Sequence, residues 1–88
     1  FTDTRLCGAQ LFQIIMTGAL LLRADLSRAN LGVSNLTQAD LTTAYLGRTN
    51  LGEANLGGAI LFRAELSSSN LAGATLTGTT MPDGKVHD

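Results

Sequence analysis

The sequence predicts an all-β fold, a four-sided parallel β-helix of about four coils. Three observations predict it. A large apolar residue stands at every fifth position, a small residue stands two places before it, and outward residues of like chemistry return every twenty positions.

The five-residue period comes first. Phe1, Leu6, Leu11, Met16, Leu21 and every fifth residue on to Leu76 and Met81 make seventeen positions, all large and apolar. On an α-helix, five residues advance about 500°, so successive leucines would land about 140° apart and smear around the cylinder. On a straight strand an odd step sends them to alternate faces. Only a chain that turns once per repeat puts every leucine on one side.

The small residue explains the cross-section. From Thr4 to Thr79 the position two before each leucine is Ala, Ser or Thr, with Ile14 the one exception. Residues two apart in an extended segment point the same way, so both face inward and the residue between them faces out. A tight coil cannot hold two large side chains per side, which predicts that Ala44→Leu or Ala54→Leu overpacks it. Ile14 either widens the first coil or plugs its open end. The two residues after each leucine make the corner, where Gly32, Gly47, Gly52, Gly57, Gly58, Gly73 and Gly78 fall.

The outward residues set the number of corners. Gln10, Asn30, Asn50 and Asn70 recur at intervals of twenty, as do Asn35 with Asn55 and Arg28 with Arg48. A twenty-residue coil stacks them into columns, like the amide ladders of stacked β structure. The repeat region is 1–81. Pro82 removes a ladder donor and Pro82-Asp83-Gly84 makes a turn, so 82–88 is read as a capping turn and polar tail over the last coil. No comparable cap precedes Phe1, which is already in register and is not an initiator Met. Either such a cap has been removed, or that end is expected to pack on another surface, a second copy included; the bland alternative is an unordered end.

Ala24-Asp25-Leu26, Ala29-Asn30-Leu31, Ala39-Asp40-Leu41 and Ala54-Asn55-Leu56 carry the pattern A-(D/N)-L-x-x. In this the chain resembles the pentapeptide repeat family over 1–81. The resemblance implies a right-handed quadrilateral β-helix and a family abundant in cyanobacteria and present in chloroplasts, most of whose members have no known activity. It leaves the compartment open between cytoplasm and, in a photosynthetic source, thylakoid lumen or periplasm. Some longer, acidic, dimeric members resemble DNA in shape and charge and bind DNA gyrase. This sequence departs from them: it is short, and its repeat region sets five arginines against Asp3, Asp25, Asp40, Glu53 and Glu65.

Composition removes several function classes. The 88 residues carry a formal net charge of -1 with 15% charged residues, so neither a basic nucleic-acid footprint nor a strongly acidic surface is present. No run approaches the roughly 20 apolar residues of a membrane span. Cys7 alone makes no internal disulfide. His87, in the tail, would need a positioned partner for acid–base work or companions to hold a metal and is read as a solvated or capping residue, and the glycines lack the strand–loop–helix context of a phosphate loop. The chain is therefore expected to be non-catalytic, without cofactor or metal, and to contact neither nucleic acid nor membrane.

One anomaly points to function. Leu20-Leu21-Leu22-Arg23 returns as Ile60-Leu61-Phe62-Arg63, two coils later on the same side. Leu21 and Leu61 face in, so Leu20, Leu22, Ile60 and Phe62 are expected to face out, with Asp40 and Thr42 between them. Phe12 and Ile15 are expected to enlarge this surface, and Arg23 and Arg63 to rim it. An exposed apolar patch with an arginine rim suggests a protein-binding face, for a partner or for self-association. The bland alternative is that these side chains lie flat against neighbouring columns. The reading is a rigid interaction scaffold, with a gyrase-binding DNA mimic as the alternative.

Overall fold

A computed structural model describes residues 2–87. Phe1, the first of the seventeen apolar positions, and Asp88 of the tail lie outside the described residues.

Twelve parallel bridges join residues twenty apart, from Arg5↔Asp25 to Ile60↔Thr80. They define four columns of outward residues and hence four sides. In chain order the first side carries Arg5, Asp25, Tyr45 and Glu65; the second Gln10, Asn30, Asn50 and Asn70; the third Ile15, Asn35, Asn55 and Thr75; the fourth Leu20, Asp40, Ile60 and Thr80. No helix occurs among the described residues. The molecule is squat, with extents of 29 × 24 × 23 Å.

The repeat satisfies its own backbone, as a buried chain must. Leu26 N–H donates to the Tyr45 carbonyl of the next coil (2.8 Å), and Asp25 N–H donates back to the Thr4 carbonyl (2.9 Å). Arg28 N–H reaches the Gly47 carbonyl (2.9 Å), and Ala29 N–H closes the turn on the Leu26 carbonyl (3.0 Å). The same four bonds recur around the inner coils.

That turn has type II character: its third residue alone takes a positive φ. Every such position from Asp3 to Gly78 does so, and eleven of them are not glycine, with φ between 56° and 63°. The corner glycines therefore divide into two kinds. Gly58, Gly73 and Gly78 supply the positive φ. Gly32 and Gly52 stand one place earlier with no positive φ; a Cβ would come to 3.2 Å from Asn30 Oδ1 and 3.1 Å from Asn50 Oδ1 respectively, a tight fit that Ala72 accommodates beside Asn70 at the same position.

Those asparagines hold the corner. Asn30 Oδ1 accepts from Gly32 N–H (3.0 Å) and Asn50 Oδ1 from Gly52 N–H (2.9 Å). Their amides also stack. Asn30 donates to Gln10 (3.3 Å), Asn50 to Asn30 (3.1 Å) and Asn70 to Asn50 (3.3 Å), making a continuous ladder up the second side.

Nine leucines, Leu21 to Leu61, are fully buried, with the alanines between Ala24 and Ala59 interleaved among them. Leu6, Leu11 and Ile14 at one end, and Leu66, Leu71 and Leu76 at the other, are partly buried against this core. Two inward threonines bond across a corner to the coil below: Thr49 Oγ1 to the Leu26 carbonyl (2.7 Å) and Thr79 Oγ1 to the Leu56 carbonyl (2.6 Å). The equally buried Ser34 Oγ has no partner.

After Met81 the direction reverses. Gly84, at φ 89°, closes a turn on the Met81 carbonyl, and Val86 bridges Thr80 in antiparallel register. Met81 N–H donates to Lys85 (2.7 Å), His87 N–H to Thr79 (2.8 Å) and Gly78 N–H to His87 (2.8 Å). This pairing covers the fourth side's rim.

Candidate interaction faces

The fourth side and the corner that follows it gather six of the eight residues singled out in the sequence. Leu20 and Ile60 stand in its outward column, exposed by 58% and 37%. Leu22 and Arg23, and likewise Phe62 and Arg63, form the turns that lead off it. The other two do not join them. Ile15 precedes Leu20 by one repeat and so stands on the third side. Phe12 lies one corner further back, where its ring presses on Gly32; a Cβ there would meet the ring at 3.2 Å. Both are exposed, but they do not widen the fourth side as expected from proximity in sequence.

The gathered residues are not equivalent. Leu22 is half-buried, lying lower on the corner than the outward placement expected of it. Phe62 is packed from two directions. The Arg63 guanidinium carbon lies 5.2 Å from its ring centroid, and Gly84 comes so close that a Cβ there would stand 3.5 Å from the ring. Phe62 thus supports the C-terminal turn as well as the surface. Asp40 separates Leu20 from Ile60, as expected, and its carboxylate is held by Thr42, whose hydroxyl (2.6 Å) and N–H (3.1 Å) both donate to Oδ1.

Arg23 is engaged. Its Nε and Nη2 donate to the two carboxylate oxygens of Asp3 at 2.8 Å each. This fork holds the Asp3 carboxyl below its usual range and raises the guanidinium further. On the first side, hydrogen bonds from Ser27 hold Asp25 low and those from Ser67 hold Glu65 low. In both cases a carboxylate closes its own corner, as the asparagines do on the second side.

Sequence reasoning passed over Tyr45, which stands exposed at the middle of the first side, and Val33, exposed on the corner after the second. Writing the sequence in rows of twenty would have placed both. Among the described residues no three His, Cys, Asp or Glu side chains come together to hold a metal, no pocket opens, and no helix is long and apolar enough to cross a membrane. Cys7 is an exposed thiol in a turn.

A single-stranded coil with four ladders, one leucine and one small residue per side, defines a class of solenoid, and known proteins share it. The pentapeptide repeat family model matches in eight copies over residues 1–42 and 39–78. The pentapeptide repeat protein alr5209 from Nostoc Pcc 7120 superimposes with a TM-score of 0.83 at 42% identity, over 84% of this chain and 61% of that one. The pentapeptide repeat protein Rfr23 from the cyanobacterium Cyanothece 51142 gives 0.88 at 34% identity, over 96% and 57%. No curated protein sequence matches significantly. The chain belongs to the pentapeptide repeat family, and its fold is the right-handed quadrilateral β-helix of that family. It spans about three fifths of the length of these two relatives.

Proposed function

We propose that this chain is a non-catalytic protein-binding module that presents its fourth side to a protein surface. One observation carries the reading: Leu20 and Ile60 stand exposed in an outward column, in slots that the second side fills with amides. Exposed apolar side chains on a rigid, flat β surface favour burial against a partner. Arg23 and Arg63 on the adjoining corner supply a polar rim of the kind found at such interfaces. The core is filled by leucine and alanine, which leaves recognition to the outer surfaces. The alternative, a DNA mimic that binds DNA gyrase, calls for a continuous acidic surface, and five arginines interrupt one.

The test replaces the exposed pair with the residue that the neighbouring ladders use. Leu20→Asn/Ile60→Asn preserves the coil and the net charge. It is expected to abolish self-association in sedimentation and capture of a partner from an extract of the source cells. Unchanged behaviour in both assays, with the thermal melt intact, sinks the reading.

A further inference from the structure

All five arginines of the chain fall on the first side and the two corners that bound it. Arg5 stands in its outward column, Arg23 and Arg63 on the corner leading into it, and Arg28 and Arg48 on the corner leading out. Four carboxylates share this region, Asp3, Asp25, Glu65 and Asp83, the last on the corner next to Arg63, whose N–H donates to the Pro82 carbonyl (3.0 Å), so five arginines against four acids leave an excess of one positive charge. Elsewhere among the described residues one cation, Lys85, is set against two acids, Asp40 and Glu53, an excess of one negative charge.

All four of these acids already accept hydrogen bonds, Asp83 from Lys85 N–H (3.0 Å). Asp3 is forked by Arg23, Asp25 accepts from Ser27 N–H (3.0 Å) and Glu65 accepts from Ser67 N–H (2.9 Å). Arg28 and Arg48 are different. They occupy the same turn position in consecutive coils, at φ 61° and 59°, and both are exposed. Their backbones are tied in the ladder through Arg28 N–H to Gly47 and Arg48 N–H to Ser67, at 2.9 and 2.8 Å. That fixes the two positions about 4.8 Å apart along the axis. Like charges so placed repel, and no acid among the described residues pairs with either guanidinium. An acid from outside would turn this repulsion into two charge-assisted bonds.

We propose that the first side docks an acidic segment of a protein partner, with its carboxylates seated on Arg28 and Arg48. The proposal rests on the protein-binding role above and adds the partner's chemistry and a second side. Tyr45, exposed in the same coil as Arg48, gives that segment an aromatic surface to lie on; Tyr and Arg are the side chains most enriched where protein interfaces concentrate their energy. A nucleic acid fits worse. A duplex presents a charge about every 1.7 Å, and laid along this side it would run over Asp25 and Glu65, which bracket Tyr45 in the same column. Discrete carboxylates can meet the arginine corner and avoid both.

The experiment titrates the full chain with poly-L-glutamate and, separately, with duplex DNA. The variant Arg28→Asn/Arg48→Asn is suited to it because asparagine accepts the left-handed turn conformation; an unshifted thermal melt shows that its fold is kept. Poly-L-glutamate is expected to bind the native chain, to weaken as salt is raised, and to lose about tenfold or more in affinity with the double variant. Leu20→Asn/Ile60→Asn is expected to leave that binding unchanged. The proposal is overturned if poly-L-glutamate does not bind, if the double variant binds it equally, or if duplex DNA binds more tightly. Failure of the fourth-side reading shows separately, as unchanged self-association and capture with the Leu20→Asn/Ile60→Asn chain.

Discussion

Thr49 and Leu26 are joined across a corner and between coils: the buried threonine hydroxyl donates to the leucine carbonyl at 2.7 Å. Thr79 repeats the bond with Leu56 at the same separation of twenty-three residues. A buried hydroxyl without a partner costs about 1–3 kcal/mol of desolvation, and these two avoid that cost. Ser34, at the same inward position of its repeat, does not avoid it. Ser34→Ala is therefore expected to raise stability by about 1 kcal/mol, while Thr49→Val lowers it by a similar amount. Urea denaturation of the three chains reads both signs.

The inward alanines set a limit on volume. Ala44 and Ala54 are fully enclosed, between leucines that are themselves fully buried. A leucine at either position has no space to enter unless the ladder bonds around it lengthen. Ala54→Leu is expected to cost about 1–3 kcal/mol or more by overpacking, read as a lower thermal midpoint. An unchanged midpoint would contradict the packing described.

The period of five made this core legible from the residues alone, because each leucine obeys one local rule. The turn's backbone was not legible in the same way. Glycine marks a corner to the eye, yet Arg28, Val33 and Thr43 take the same left-handed conformation, and nothing in their chemistry announces it. There the stacked ladder bonds impose the conformation on whatever residue arrives. The candidate face was legible as a repeat of Leu20-Leu21-Leu22-Arg23 in Ile60-Leu61-Phe62-Arg63. Ile15 was misjudged because five residues along the chain is a quarter turn around the axis, so nearness in sequence means a different side. The covering of Phe62 by Gly84 depends on where the tail reverses, which no local pattern encodes. The unpaired arginines emerge only when charges are read by column.

The imposed turn makes Val33 a point of strain. It is β-branched, exposed, and held at φ 58°, a conformation costly for such residues. Strain of this kind runs to about 1–3 kcal/mol. Val33→Asn is expected to recover about 1 kcal/mol of it, since asparagine visits this region readily. A thermal midpoint that does not rise would show that Val33 gains compensating contacts on its corner.

Acid should weaken the solenoid in a defined window. Asp3, Asp25 and Glu65 are all held below their usual pKa values, by hydrogen bonds from Arg23, Ser27 and Ser67 respectively. A group whose folded pKa is depressed contributes stability that is fully present above its unfolded value and is lost as pH falls through the folded one. For Asp25 the unfolded reference is 3.8, so the thermal midpoint should stay level from neutrality down to that region and then decline. The loss arises because a protonated carboxyl is a poorer acceptor for the Ser27 donors that close the corner. Asp25→Asn keeps the acceptor oxygen, as Asn30 does toward Gly32 on the next side, and removes the titration. Its acid decline should therefore be shallower than that of the native chain. Parallel profiles for the two would mean that Asp25 does not contribute through its charge.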